Sequence, residues 1–327
     1  MTTIKGPTGY GLMTLTLRAK PISKQQCFDV INAAVNEGVT FFNTGEFYGG
    51  PANPYGNMEL FKEYLEKYPE NRSKMVISVK GAFSFQTMRP DTSEEGLTRS
   101  IDNINKYFDN YIFEPARMDL IHPVEDVMTN LSKHVGDGKV IGLSLSEVKG
   151  STVRRAHKVY PKLSFIEVEY SIMERGILTN GVNDACRDLK IPIIAYSPLG
   201  NGFLTGSIKS LKDFDENDMR RMHGRFSSDE LIKENYKIVE VVLKMAEKKN
   251  CTPAQIALGW IRKHNEFPEK YAQIIPIPSA SSVERLKENL KLVELTDDEF
   301  DEINSKIEEI EIKGARMIKA GEKYLNA

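Results

Sequence analysis

Short apolar runs alternate with amphipathic stretches along most of the chain. Runs with strand character lie near positions 11, 40, 77, 112, 142, 167, 194 and 275, the first over 10–16. Between them, apolar residues three and four positions apart indicate helices. Ser23 followed by Gln26, and Thr92 followed by Glu95, are typical of helix N-caps. The alternation stops at about 198–228, where we expect a long loop, with helices at 229–249, 253–264, 283–293 and 297–310 beyond it.

This alternation predicts a fold of the α/β class. Eight strand and helix units about 30 residues apart favour a single (β/α)8 TIM barrel, with a long loop after strand 7 and extra C-terminal helices. We expect residues 1–327 to form one domain. The alternative is a doubly wound dinucleotide-binding fold, whose glycine fingerprint follows the first strand. Gly6, Gly9 and Gly11 come too early and have the wrong spacing, which disfavours that fold.

Composition describes an ordinary soluble globular protein, with 40% hydrophobic residues, 28% charged residues and a net charge of -2. Without a basic excess we expect neither nucleic acid nor a membrane as a partner. No apolar run reaches the roughly 18 residues of a membrane span, and no signal core is evident, so we expect a cytoplasmic protein, a nuclear location also being open. The three cysteines lack CxxC spacing and the five histidines lack HExxH or HxxxH spacing, which predicts reduced thiols and no metal site.

The stretch 39–50, VTFFNTGEFYGG, carries the strongest chemical signal. A buried strand there runs into a polar turn, which places Asn43, Glu46 and Tyr48 at or just past its C-terminal end. Active sites of α/β barrels form at that edge. Lys80 ends the next strand, and a cation beside Tyr48 would lower the pKa of the phenol from about 10 toward neutrality. Taken singly, a loop tyrosine and a strand-end lysine are more typical of ordinary surface structure.

Four segments together resemble the aldo-keto reductase family: FFNTGEFYG, VISVKG, YSPLGNGFLTG and IPIPSASSVERLKENL. Within that family, NTGEFYG and FEPARMD resemble the fungal pyridoxal reductase branch. The resemblance implies a TIM barrel that reduces a small-molecule aldehyde to an alcohol with NADPH, pyridoxal to pyridoxine being the first expectation. It implies a role in vitamin B6 metabolism and no obligate protein partner. The alternatives are a broad aldehyde or ketone reductase of the same family and a non-catalytic NADPH-sensing subunit.

The resemblance also implies catalytic roles. Tyr48 would be the general acid and Lys80 the cation that stabilises its phenolate. Asn43 stands where the family pattern has an aspartate, and because an amide cannot neutralise Lys80, we expect the pKa of Lys80 to fall.

A second departure concerns the substrate pocket. In a gapless match, Ala116 replaces the family's histidine before the fourth-strand arginine, and His122 lies six residues downstream of it. The resulting space would suit a bulky aromatic aldehyde. Either Glu46 or Glu114 would supply the missing polar contact. The candidate substrate-binding residues are therefore Glu46, Phe47, Glu114 and Ala116.

For the cofactor, the resemblance implies three groups of residues. The nicotinamide would contact Ser146, Glu167 and Tyr196. Ser197, Pro198 and Leu199 would begin the loop around the pyrophosphate. The adenosine end would bind Ser279, Arg285, Glu288 and Asn289. Because Arg285 can fork onto a 2′-phosphate, NADPH is favoured over NADH. The basic group at 220–225 is either a solvated loop face or a lid over the cofactor.

Overall fold

The computed structural model describes residues 4–50, 52–136 and 138–327. Its strands are β1 (Tyr10–Gly11), β2 (Phe41–Gly45), β3 (Val76–Gly81), β4 (Phe83–Ser84), β5 (Arg89–Pro90), β6 (Tyr111–Pro115), β7 (Val140–Leu143), β8 (Leu145–Ser146), β9 (Ile166–Glu169), β10 (Ile193–Tyr196) and β11 (Ile274–Pro276). Its helices are α1 (Lys24–Asn36), α2 (Gly56–Lys67), α3 (Glu94–Ile104), α4 (Val124–Ser132), α5 (Gly150–Val159), α6 (Val182–Leu189), α7 (Asp229–Lys249), α8 (Pro253–Lys263), α9 (Val283–Leu290), α10 (Asp297–Glu308) and α11 (Lys319–Glu322).

Two parallel sheets close on each other into a barrel. The first has the order β1-β2-β3-β6-β7 and the second β11-β10-β9-β8. β7 and β8 are two parts of one strand separated by Ser144, and the Gly9 backbone N–H donates to the Pro276 carbonyl at 2.9 Å, which joins the remaining edges. This confirms the (β/α)8 class, with the long segment after β10 and the additional C-terminal helices. The assignment of residues 1–327 to one domain stays a prediction.

Local signals placed most elements and missed a few. The Ser23 hydroxyl accepts from the Gln26 N–H at the start of α1, as predicted. The N-cap of α3 is Ser93 rather than Thr92, whose N–H instead donates to Asp119 at 2.9 Å. The first strand ends at Gly11 rather than at position 16, because a 3-10 turn follows it. None of the helices in the described ranges is long and apolar enough to cross a bilayer.

The barrel interior is layered, because alternate residues of a strand point to the same face. The lower layer is apolar, and the rings of Phe41 and Phe165 meet edge to face with centroids 5.3 Å apart. It also contains Ile112, Ile194 and Ile275. Two positions further along the same strands lie Asn43, Glu114, Glu167, Tyr196 and Ile277. The strand period thus places a mainly polar layer directly above an apolar one, toward the C-terminal mouth.

Gly81, which directly follows Lys80, allows β3 to pack closely under α3. An added Cβ would lie 2.2 Å from the Ser100 hydroxyl oxygen and 2.7 Å from the Phe113 ring. We therefore expect Gly81→Ala to lower the free energy of unfolding by about 1–3 kcal/mol in urea titrations. At Gly56, the first residue of α2, the nearest atoms are 3.5 Å away, so Gly56→Ala is the matched control and should be neutral or slightly stabilising. Equal losses at both positions would contradict this packing argument.

Candidate active site

Tyr48 lies just beyond β2 at the C-terminal mouth of the barrel, with 8% of its surface exposed. Its ring packs flat against Gly45, where an added Cβ would be 3.1 Å from the ring carbons. The Thr16 hydroxyl donates to the Tyr48 carbonyl at 2.8 Å and fixes the turn. Lys80 Nζ is 6.0 Å from the centre of the ring. The structure therefore brings together the predicted acid and its predicted cation.

Lys80 is itself buried, and three acceptors surround its ammonium group. Nζ donates to Asn43 Oδ1 at 3.0 Å and lies 3.1 Å from Glu114 Oε1. It also forms a short ion pair with Glu167. Both carboxylates are almost fully shielded from solvent, at 0% and 1% exposure. An ammonium has three N–H groups, and each of them has an acceptor here.

Asn43 joins the two carboxylates. Its Nδ2 donates to Glu114 at 3.0 Å and to Glu167 at 2.8 Å, while its Oδ1 accepts from Lys80. An aspartate at this position could not donate, and it would add a third buried negative charge beside the other two. The amide is therefore the side chain that suits a site in which the counter-charges of Lys80 come from β6 and β9.

The pKa shifts overturn two expectations. Burial alone would lower the pKa of Lys80, but Glu114 and Glu167 outweigh burial and raise it, so the predicted fall was wrong. Burial raises the pKa of the Tyr48 phenol, and Lys80 offsets this only in part, so the expected shift toward neutrality was also wrong. Burial, and then the charge of Glu114, raise the pKa of Glu167 well above its ordinary value. Tyr48 is thus a protonated phenol at neutral pH.

Of the four predicted substrate residues, three lie at the mouth of the barrel and one lies outside it. Glu114 lies in the Lys80 cluster, Ala116 is buried near the end of β6, and the Phe47 ring packs against the Tyr48 ring with centroids 5.3 Å apart. Glu46 points away, and its carboxylate accepts from Ser100 and Asn103 of α3 at 2.5 and 2.9 Å. The structure therefore does not bring Glu46 to Tyr48.

His122 also lies away from the Tyr48 and Lys80 pair. Its Nδ1 is 2.7 Å from Asp119 Oδ2, and 38% of its side chain is exposed. In the described part of the chain, no group of His, Cys, Asp or Glu is arranged to hold a metal ion.

The candidate nicotinamide residues lie at neighbouring strand ends. Ser146 ends β8 and Tyr196 ends β10, and the hydroxyl groups of both accept hydrogen bonds from Arg117. Both carboxylate oxygens of Glu167 are already engaged, one by Lys80 and one by Asn43. A contact of Glu167 with the nicotinamide carboxamide would therefore compete with its hydrogen bonds in the Lys80 cluster, and this predicted contact stays a prediction.

The candidate phosphate residues lie in a turn with left-handed backbone. After β10, the backbone is left-handed at Ser197 and from Gly200 to Gly202, with φ of +47°, +56°, +57° and +89°. Turns of this kind present successive N–H groups to phosphate oxygens. Pro198 is buried and Leu199 half-buried within this turn.

On α9, Arg285 in the first turn is exposed, whereas in the last turn Glu288 is half-buried and Asn289 buried. Ser279, on the segment leading to this helix, lies beside Gly11 of β1, where an added Cβ would be 3.0 Å from the Ser279 hydroxyl oxygen. Their assignment to the phosphate and adenosine ends of a dinucleotide stays a prediction.

A second charged cluster at the mouth was not foreseen. Arg316 donates to Glu169 and Glu147, each at 2.9 Å, and Arg225 pairs with Glu169 and with Glu174 at 3.5 and 2.5 Å. Arg225 is therefore a buried structural contact rather than a solvated loop residue. Glu167 and Glu169 are two positions apart on β9, so their spacing could have predicted that both acids face the barrel interior. No local sequence pattern marks Arg316.

A sequence model described as "Aldo/keto reductase family" matches residues 7–308. This chain belongs to the aldo/keto reductase family. It is therefore an oxidoreductase. The assignment of its catalytic centre to Tyr48 and Lys80 stays a prediction.

Several relatives cover most of the chain. It is 39% identical over 322 residues to the "Putative pyridoxal reductase" of Saccharomyces cerevisiae, covering 91% of each chain. It is 34% identical to the "Probable pyridoxal reductase 2" of Schizosaccharomyces pombe, covering 98% of this chain and 97% of the other. It is 33% identical to the "Aldo-keto reductase yakc [NADP(+)]" of the same yeast, covering 94% and 90%. Among solved structures, the glycerol dehydrogenase AKR11B4 of Gluconobacter oxydans superposes with a TM-score of 0.76 at 17% identity, covering 94% and 93%, which shows the shared fold.

Because Glu114 and Glu167 both balance the charge of Lys80, we expect the stability losses from replacing them to be non-additive. Glu114→Gln or Glu167→Gln alone leaves one carboxylate to balance the ammonium, so each should change the free energy of unfolding by about 1 kcal/mol or less. The double variant leaves a buried, uncompensated cation and should lose about 3–5 kcal/mol. Urea unfolding of all four proteins forms a double-mutant cycle. Simple additivity of the two single effects would show that the carboxylates do not share this role.

Proposed function

We propose that this chain is an NADPH-dependent reductase that converts an aldehyde to an alcohol, with pyridoxal as its substrate and pyridoxine as the product. The observation that carries the proposal is a buried, protonated Tyr48 beside Lys80 at the mouth of the barrel. The names of the two relatives at 39% and 34% identity support pyridoxal in particular.

In the proposed reaction, the chain's own residues have the following tasks. NADPH, when bound, supplies a hydride to the carbonyl carbon. The Tyr48 hydroxyl donates its proton to the carbonyl oxygen, and the Lys80 ammonium stabilises the phenolate that remains. Because burial raises the pKa of Tyr48, the acid stays protonated through the neutral range, and reduction should slow only as the pH rises through that raised pKa.

The residues after β10 and at the start of α9 support NADPH as the cofactor. The left-handed turn beginning at Ser197 would hold the pyrophosphate, and the exposed guanidinium of Arg285 could fork onto the 2′-phosphate. The printed name of the relative at 33% identity includes NADP(+), which agrees with this choice.

The experiment that tests the function follows NADPH oxidation by the purified protein with pyridoxal, with 4-nitrobenzaldehyde and without substrate. Preference for pyridoxal would support the proposal. Equal or better turnover of 4-nitrobenzaldehyde would indicate a broad carbonyl reductase instead. Tight NADPH binding without any turnover would indicate a cofactor-sensing protein.

Removal of the acid should greatly slow reduction while cofactor binding survives. We expect Tyr48→Phe to lower kcat by about 100-fold or more, since general acid catalysis contributes roughly 10²–10⁴-fold. NADPH affinity, measured by fluorescence titration, should stay within about twofold. The control is Tyr107→Phe, whose ring packs against Tyr55 and Phe108 outside the barrel and should leave kcat unchanged. Full activity in Tyr48→Phe would rule out the assigned acid.

Cofactor choice should depend on Arg285. We expect Arg285→Ala to weaken NADPH binding about tenfold or more and NADH binding little, since only NADPH carries the 2′-phosphate. Lys287→Ala is the matched control on the same helix, because Lys287 Nζ lies 3.6 Å from Glu37 Oε1 and is not a predicted cofactor contact. Equal losses for both cofactors would place Arg285 away from the 2′-phosphate.

A further inference from the structure

Arg117 is a cation at the mouth of the barrel that the reaction outlined above does not use. It follows β6 and reaches across to two other strand ends. Its Nη1 donates to the Ser146 hydroxyl and its Nη2 to the Tyr196 hydroxyl, both at 3.3 Å. Its Cζ lies 6.0 Å from the centre of the Tyr196 ring, so the guanidinium sits toward the hydroxyl end of that ring. Arg117 therefore occupies the same rim as the candidate nicotinamide residues.

Only neutral groups contact this guanidinium in the part of the chain that the structure describes. Besides the two hydroxyls, its partners are the Ala116 carbonyl at 2.5 Å and the Met317 sulfur at 3.8 Å. The charge of Glu147 also acts on Arg117, but its carboxylate accepts from Arg316 and from the Glu169 N–H, at 2.9 and 2.8 Å.

Three other cations at this end of the described structure have carboxylate partners. Lys80 pairs with Glu114 and Glu167, and Arg316 and Arg225 pair with the second cluster. A half-buried arginine without a carboxylate carries a desolvation penalty that a bound anion would offset. Arg117 thus has the charge, the donors and the position of an anion-binding group.

The position of Arg117 indicates which molecule brings the anion. If the proposed reductase function holds, the cofactor phosphates lie near Arg285 and the turn at Ser197, whereas the nicotinamide near Ser146 and Tyr196 carries no anionic oxygen. An anion at Arg117 would then belong to the substrate. We propose that Arg117 forms a substrate subsite for an anionic oxygen on the ring position next to the reacting aldehyde. Pyridoxal has such an oxygen, because its 3-hydroxyl is ionised at neutral pH.

The test compares pyridoxal with its 3-O-methyl ether, which keeps the ring and the aldehyde but removes the anion. We expect the native protein to prefer pyridoxal, mainly through a lower KM. Arg117→Met should reduce that preference about tenfold or more, because a hydrogen bond to a charged group contributes roughly one factor of ten or more. Arg117→Lys, which keeps the charge but not the planar fork, should retain part of the preference.

The control for a general effect of losing an arginine is Arg155→Met. Arg155 pairs with Glu125 on the outer helices, and 49% of its side chain is exposed, so its loss should leave the substrate preference unchanged. NADPH affinity should be the same in all variants.

A second readout does not depend on turnover. Pyridoxine keeps the 3-hydroxyl, and its fluorescence reports binding to the NADP+ complex. We expect Arg117→Met to weaken pyridoxine binding and to leave binding of 3-O-methylpyridoxine unchanged. Equal losses for both compounds, or no loss for either, would overturn the subsite. Absence of aldehyde reduction by the native protein would instead overturn the proposed function, and the binding comparison would still decide the role of Arg117.

Discussion

The buried ammonium of Lys80 is the interaction on which the site depends. An ammonium removed from water is strongly unfavourable unless carboxylates and hydrogen bonds replace the solvent. Here the partners come from β2, β6 and β9, so the contacts link the two sheets that make up the barrel. The apolar layer beneath, with Phe41 and Phe165 in contact, excludes water from below. The barrel thus supports the cluster, and the cluster in turn fixes the cation next to Tyr48.

The amide at position 43 follows from the same electrostatics. With Glu114 and Glu167 already facing Lys80, the site has more negative than positive charge, and the pKa of Glu167 is raised first by burial and then by the charge of Glu114. Asn43 accepts from the ammonium, as an aspartate could, but it also donates to both acids, which an aspartate could not do. The departure from the family pattern at one strand is therefore compensated by acids on two others. A residue in such a network has to be judged together with its partners.

The second cluster organises the rim of the site. Arg225, from the segment after β10, and Arg316, from the C-terminal segment, both pair with Glu169 at the end of β9. These contacts bring two separate parts of the chain against one strand end. Met317, beside Arg316, then contacts Arg117. The surroundings of the proposed substrate subsite consequently depend on ion pairs between segments that are far apart in sequence.

The sequence by itself determined the local features of this protein. Strand and helix periods, the Ser23 cap and the paired ends of β2 and β3 follow from neighbouring residues, and they sufficed to predict the barrel and to bring Tyr48 to Lys80. Even Glu46 could have been placed outside, because it follows Phe42 and Thr44 on the outward face of β2. The counter-charges of Lys80 were decided only by the tertiary structure, since Glu167 lies 87 residues away along the chain and reaches Lys80 across the closed barrel. The expected shift of the Lys80 pKa had the wrong sign because these distant carboxylates raise it, and that of the Tyr48 pKa because burial in the folded barrel outweighs the effect of Lys80.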